Sequence, residues 1–399
     1  MKKICLTVIG LYIGLLATFS QQVKPADTSN YQSRKLNIEE INFVSSYYHQ
    51  DGNNAAVTGG IGSQKLDDFS NYLELKLRWY DRKQRLNKVS GDIGIDYYTS
   101  ASSDKIDPKT ISSASYSDVR VYPSVGWSRE NEVKGTEFGI GLSTSTEFDY
   151  QSFGINGHYS RKTKNRMGEF AAKGQVYFDQ LSLIYPVELR SGQSSGEGGY
   201  STDVRNSFSL NLSWSQIVNQ RLQLMFLLDL IQQSGYLSLP FNRVYFSDAS
   251  VQVEKLPGSR FKLPIGFRAN YFMGDKVILR GFYRYYHDDW GLEAHTINIE
   301  TAIKINPFFS ISPFYRFYHQ SAVNYFKPYQ EHTAEDEYYT SNYDVSKFTS
   351  HYFGAGIRIA PPGGVFGIDH FNSVEIRYGH YTRENNFNSN IVSLHLKYK

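Results

Sequence analysis

Apolar and polar residues alternate one by one along much of this chain. Leu73, Leu75, Leu77 and Trp79 take one side, and Glu74, Lys76, Arg78 and Tyr80 the other. Phe208, Leu210, Leu212 and Trp214 oppose Ser209, Asn211 and Ser213. Leu263, Ile265, Phe267, Ala269 and Tyr271 oppose Lys262, Gly266, Arg268 and Asn270, while Val277, Leu279, Tyr283 and Tyr285 oppose Lys276, Arg280 and Arg284. Further on, Ile297, Ile299, Thr301 and Ile303 face away from Thr296, Asn298, Glu300 and Lys304. The last stretch sets Val392, Leu394, Leu396 and Tyr398 against Ser393, His395 and Lys397. A helix would scatter each set around its circumference, whereas a pleated strand gathers it on one face.

Followed along the chain, this period predicts about sixteen strands: 42–49, 69–79, 89–99, 119–128, 136–147, 151–160, 168–179, 205–215, 221–232, 260–273, 276–288, 292–305, 308–319, 348–360, 372–383 and 390–398. Several match the ~9–11 residues that cross a bilayer obliquely, beyond the roughly six of a mean soluble strand. The segment 42–49 also suits a plug. Connectors alternate in length. Those at 82–88, 129–135, 161–167, 216–220, 274–275 and 306–307 are short, with 361–371 the longest of that set. Long ones lie at 50–68, 100–118, 233–259 and 320–347, and at 181–204 once 148–150 is counted as a tight tip. Outer-membrane barrels keep short turns in the periplasm and long loops outside, so both barrel ends are expected on the periplasmic side. Trp79, Trp127 and Trp214 all fall on the apolar face near that side, where an interfacial aromatic girdle belongs.

Composition sharpens the picture. Tyr is 32 and Phe 26 of 399 residues, against 12 Pro. Aromatic side chains suit a pleated surface, and Tyr suits a water–lipid boundary. Mean hydropathy is nevertheless negative, and beyond the first twenty residues no stretch approaches the ~18 apolar residues of a membrane helix. The expected fold is all-β: a closed, antiparallel transmembrane β-barrel in contact with outer-membrane lipid. Such a ladder pairs every backbone group and leaves no edge. An Arg or Lys facing lipid at mid-bilayer would cost roughly 2–4 kcal/mol, and the central outward positions carry essentially none.

The chain opens with Lys2 and Lys3, an apolar run from Ile4 to Phe19, and small residues Thr18 and Ser20 before Gln21. That pattern predicts a cleavable signal peptide over 1–20, followed by a periplasmic segment over 21–41 and the barrel over 42–399. The outer membrane of a Gram-negative bacterium is the expected destination. Cys5 lies too early for a lipoprotein anchor and would leave with the signal, so the mature chain has no disulfide or thiol chemistry. Formal charge drops from +3 to +1 on losing Lys2 and Lys3, which gives no reason to expect nucleic acid as partner.

Three segments carry a family likeness: YHQDGNNAAVTGGIG at 48–62, DYYTSASSDKID at 96–107 and SSASYSDVRVYP at 112–123. They resemble the domain of unknown function 3570 family of bacterial outer-membrane β-barrel proteins, and the likeness covers nearly the whole chain after the signal. It implies an outer-membrane barrel without an established activity. It also implies a periplasmic redox-related partner, because members are often encoded near thioredoxin-like and flavin-transferase proteins. Outer-membrane assembly machinery is a further expected partner. Many barrels end in an aromatic residue which that machinery reads, whereas here Tyr398 is penultimate and Lys399 last.

Candidate chemistry is sparse. Ser100–Asp104 and Ser113–Asp118 echo each other across one predicted outer loop, and Asp104, Asp107 and Asp118, with Asp51, offer hard-cation oxygen ligands. Self-bonded Asx and Ser turns explain the same residues without an ion. Val57–Gly62 lacks the Lys-Ser/Thr and the helix of a phosphate cradle, which leaves a turn or a segment folding into the lumen. His158 and Ser160 share the inner face without a triad or a nucleophile elbow, and His287-Asp288-Asp289 reads as a turn, so neither an enzyme nor a cofactor is expected. Glu74, Lys76, Arg78, Asp92, Asp96, Lys173, Arg268, Arg280, Arg284, Glu300, Arg316, Arg358, Glu375 and Arg377 all face inward in this register. Mixed charge of that kind makes a solvated lumen, and Arg268, Arg280 and Arg284 on neighbouring strands favour anionic solutes. A porin-like conduit and a non-conducting anchor both fit.

Overall fold

The alternating stretches are rich in β-branched and aromatic residues, which pack well on a pleated surface, and in the computed structural model of the protein they are strands. The structure describes residues 34–99, 117–190 and 200–399. The wall strands are β1 (Asn37–Asp51), β2 (Leu66–Tyr80), β3 (Leu86–Thr99), β4 (Ser117–Asn131), β5 (Thr136–Thr146), β6 (Tyr150–Lys162), β7 (Gly168–Ser182), β8 (Thr202–Asn219) and β9 (Leu222–Gly235). Two short strands follow, β10 (Arg243–Tyr245) and β11 (Val251–Val253). The wall then resumes with β12 (Ser259–Met273), β13 (Val277–Asp288), β14 (Glu293–Asn306), β15 (Phe309–Gln320), β16 (Phe348–Ile359), β17 (Phe371–Arg383) and β18 (Phe387–Tyr398).

Each wall strand pairs antiparallel with the next, and β1 pairs with both β2 and β18, so sixteen strands close into a barrel. The closing register runs from Ile41 opposite Tyr398 to Asp51 opposite Asn388. The segment 42–49 is therefore wall and not plug. Its strand begins at Asn37, inside the stretch expected to be a periplasmic segment. Residues 1–20 lie outside the described residues. Closure pairs the ladder on both sides of every wall strand and abolishes the open edge that would template aggregation.

Side chains sort by face as the two-residue period requires. Outward positions hold large apolar groups left exposed, among them Ile155, Phe208, Ile265, Ile297, Tyr315 and Val392. Inward positions hold mostly charged and polar residues. The buried apolar core lies elsewhere, in the connections at one end of the barrel: Ile184 and Val244 are wholly buried, and Phe246, Trp290 and Val323 nearly so. At the opposite end the turns are small and self-contained. Asp81 accepts from the Lys83 and Arg85 amides and from Arg85 Nε at 2.8–3.0 Å, and that Arg85 contact holds its carboxyl down to about 2.

At the long-loop end the connections fold together into a cap. The β1–β2 loop makes a 3-10 turn at Ala56–Thr58, whose Val57 packs on Ile184 from the β7–β8 loop, with Tyr200 and Phe241 alongside. Strands β10 and β11 form a hairpin within the β9–β12 loop. That hairpin joins the β15–β16 loop through Lys255 and Tyr339, which exchange backbone hydrogen bonds at 3.1 and 2.7 Å, and through the packing of Val244, Phe246 and Tyr339. Ring order shows what the cap spans. Going round one way, seven steps separate β1 from β12; going round the other, seven separate β2 from β9. The β1–β2 and β9–β12 loops thus rise from opposite sides of a ring on the order of 30 Å across. Arg243 Nη1 of one donates to the Val57 carbonyl of the other at 2.8 Å. The cap crosses the mouth.

Candidate functional site

Inside the barrel the charges are sorted by wall. Around the β1–β18 seam, Glu40 accepts from Asn42 at 2.6 Å and from Lys76 at 3.0 Å, and pairs with Lys397. Glu74 takes Lys76 at 3.0 Å and Asn42 at 2.8 Å. On the β3–β8 side, Arg205 meets Asp179 at 3.0 Å, and Arg120 meets Glu147 at 3.4 Å. Asp92 and Asp96 on β3 are held by hydroxyls: Ser124 donates to Asp92 at 2.8 Å, and Tyr122 donates to Asp96 at 3.0 Å. A cavity of about 410 Å³ lies against this wall.

The β12–β15 wall is basic. Arg268, Arg280, Arg284 and Arg316, with the amides of Asn270 and Asn298, line a cavity of about 560 Å³ where, among the described residues, the one carboxylate is Glu300. Glu300 is already taken. Its Oε1 receives Arg280 at 2.7 Å and its Oε2 receives Arg377 at 2.8 Å, while Arg377 also holds Glu375 at 3.1 Å. Arg377 reaches from β17 to β14 across two intervening strands, and Gly356 leaves it room: a Cβ there would sit 3.0 Å from Arg377 Cγ. Among the described residues, Arg268, Arg284 and Arg316 have no carboxylate within ion-pair distance. Phe282 underlies Arg268 at 5.7 Å, and Tyr352 underlies Arg316 at 5.6 Å. In ring order β3 stands opposite β13, so the hydroxyl-held carboxylates face this basic wall across the lumen.

Arg316 also borders a cavity of about 390 Å³ under the cap, with Tyr48, Tyr381, Arg383 and Asp344. Cap residues hold one another by specific polar contacts. Arg243, almost fully buried, pairs with Glu188 at 2.5 Å. Glu254, also buried, accepts from the Leu239 amide at 2.7 Å and from Asn242 at 3.3 Å, with Thr340 completing the set. Burial pushes its carboxyl up, against those hydrogen bonds. Asp336 goes the other way: burial opposes it, yet Lys327, the Thr333 amide and His332 bring it down to about 2.

Of the cation candidates, Asp104 and Asp107 lie outside the described residues. Asp118 gathers instead with Glu147 and Asp149 of the next hairpin, their oxygens within 4.8 Å of one another. Burial, with Asp149 and Asp118 adding to it, raises the Glu147 carboxyl against the pull of Tyr98 and Arg120. Asp51 is not in that group; it faces Lys65 at 3.9 Å and accepts from the Gly52 amide. Asp288 anchors its turn, taking the Trp290 and Leu292 amides at 3.0 and 3.1 Å and Arg260 at 2.5 Å. His158 lies 3.7 Å from Glu137 and makes no bond to Ser160 among the described residues. Trp79, Trp127 and Trp214 stand at outward positions near the short-turn end, with Arg129 over Trp127 at 4.9 Å.

The alternation places every charged wall residue named from sequence on the inner face. It also extends to Glu40, Arg120, Asp179 and Arg205, which the same parity would have found. Arg243 and Glu254 carry no periodic signal, because they sit in loops. The family model described as protein of unknown function (DUF3570) matches residues 99–388, which leaves the segment 48–62 outside the match. Among solved structures, OccK1 (OpdK) of Pseudomonas aeruginosa is similar with TM-score 0.41 and 8% identity, over 92% of this chain and 99% of that one. A BenF-like porin from Pseudomonas fluorescens Pf-5 gives 0.43 and 9%, over 92% and 100%. A mutant ferric enterobactin receptor (PfeA) from Pseudomonas aeruginosa gives 0.45 and 10%, over 87% and 54%. No curated protein matches the sequence.

Proposed function

This chain belongs to the family described as protein of unknown function (DUF3570), and from that premise we propose that it is an outer-membrane β-barrel acting as a porin-like conduit for small solutes. The lumen carries this reading: a closed sixteen-strand wall that is apolar outside and charged inside, with cavities of about 390–560 Å³ along its inner face. An exposed apolar band of that extent needs lipid around it. Export by a cleavable signal peptide, insertion by the assembly machinery and contact with a periplasmic redox-related partner belong to the same proposal. The cap supports a second reading, in which the barrel is a non-conducting anchor, because loops from opposite sides meet over the mouth.

Planar-bilayer recording separates the two. Steady currents from the folded wild type are expected if the cap leaves openings. Currents seen only when the cap is weakened by Gly60→Val make the barrel a gated conduit. Silence in both folded proteins leaves the anchor.

A further inference from the structure

We propose that the basic wall holds a binding site for a compact oxyanion, a phosphate or a carboxylate, built by Arg268, Arg284 and Arg316. The site gives the solute class of the conduit proposed above and rests on that reading, but its test is separate. Three observations converge. First, one row of inward positions runs Arg268–Phe282–Asn298–Arg316 across β12 to β15, and Arg284 follows Phe282 on the same face of β13. Second, these guanidiniums border one cavity of about 560 Å³, and the single carboxylate among its described lining residues is held by Arg280 and Arg377. Third, Phe282 and Tyr352 lie under Arg268 and Arg316, orienting planar donors before any ligand arrives.

Like charges sharing a cavity repel, and an anion in their midst removes that repulsion. Guanidinium forks match the paired oxygens of phosphate and carboxylate, and the Asn270 and Asn298 amides add neutral donors at the rim. Arg316 lines the cavity under the cap as well, so a solute passing beneath the cap meets this arginine on its way to the others.

The test is calorimetric titration of the folded full-length protein in detergent micelles, at low ionic strength, with inorganic phosphate and separately with succinate. Saturable binding of at least one is expected, weakened by added sodium chloride. Arg268→Gln and Arg284→Gln should each lower affinity about tenfold. Arg358→Gln, which removes an inward charge that does not line the cavity, should leave affinity within about twofold. Phosphate alone, succinate alone or both identify the oxyanion the site accepts. Binding of neither overturns the site, and so does equal weakening by Arg358→Gln, which would mean a diffuse field. If a glutamine variant does not fold, Arg284→Lys decides: it keeps the charge and loses the fork, so unchanged affinity refutes the site. Binding by a barrel that is silent in bilayers retains the site and refutes the conduit; conduction without binding does the reverse.

Discussion

At the scale of single residues, the most informative groups are the carboxylates of the cap, which respond to pH in opposite directions. Glu254 has its folded pKa raised by burial, so the folded cap binds its proton more tightly than the open one does. Cap stability from this group is full at low pH and falls as pH climbs from the ordinary carboxylate range through the raised value. Asp336 is depressed to about 2, so its contribution is present above its ordinary value near 3.8 and disappears as pH drops toward about 2. Trp290 is nearly buried in the cap and reports the balance. With the other tryptophans replaced by Phe, acrylamide quenching of Trp290 should rise as pH climbs through the raised Glu254 value and again as it drops toward about 2. Glu254→Gln mimics the protonated acid and should abolish the rise on the high-pH side alone; an unchanged high-pH limb would mean that Glu254 does not control it. The Glu254 behaviour was not legible in the sequence, since it depends on partners such as Thr340 that only the fold brings near Glu254.

The wall strands and the cap are specified in different ways. Each strand is written locally, by a period of two that any window reveals, and every expected strand is present with its ends moved by a few residues. The cap is written in contacts between distant segments. Gly59 and Gly60 adopt φ of +79° and +88°, and a Cβ on them would fall 2.4 Å from the Tyr245 ring and 2.7 Å from the Ser341 carbonyl. The glycine-rich stretch beginning at Val57 is thus a turn shaped for close approach, and Gly60→Val should detach it. Arg243→Ala should weaken the cap by roughly 1.5–3 kcal/mol, the worth of hydrogen bonds from a charged group. Its partner Glu188 is half-exposed, so the change does not strand that carboxylate in the interior. Faster protease cleavage within 236–258, with the barrel still migrating as folded on a gel, would bear this out; unchanged cleavage would mean that the arginine does not hold the loops together.

For the whole molecule, the decisive property is the partition of faces around a closed ring. Ile155 lies near the middle of β6 and points outward, while the next residue, Asn156, points into the lumen. Ile155→Arg should cost about 2–4 kcal/mol in folding into lipid vesicles, whereas Asn156→Arg should cost far less, because only the first puts a charge in hydrocarbon. Urea titration of vesicle-inserted protein measures both. Equal costs would overturn the assignment of the outer face to lipid.

Sequence alone determined the strands, their facing and the end at which long loops gather, because side-chain direction on a pleated strand is a local steric consequence of residue order. It also placed Arg268, Arg280 and Arg284 on one inner surface. Tertiary structure decided that β1 closes the ring, that loops from opposite sides meet through Arg243 and Val57, and that Glu300 neutralises Arg280 and Arg377 while, among the described residues, three neighbouring arginines go without a carboxylate. Those outcomes depend on which distant residues ring closure brings within hydrogen-bond reach, and no local period encodes that.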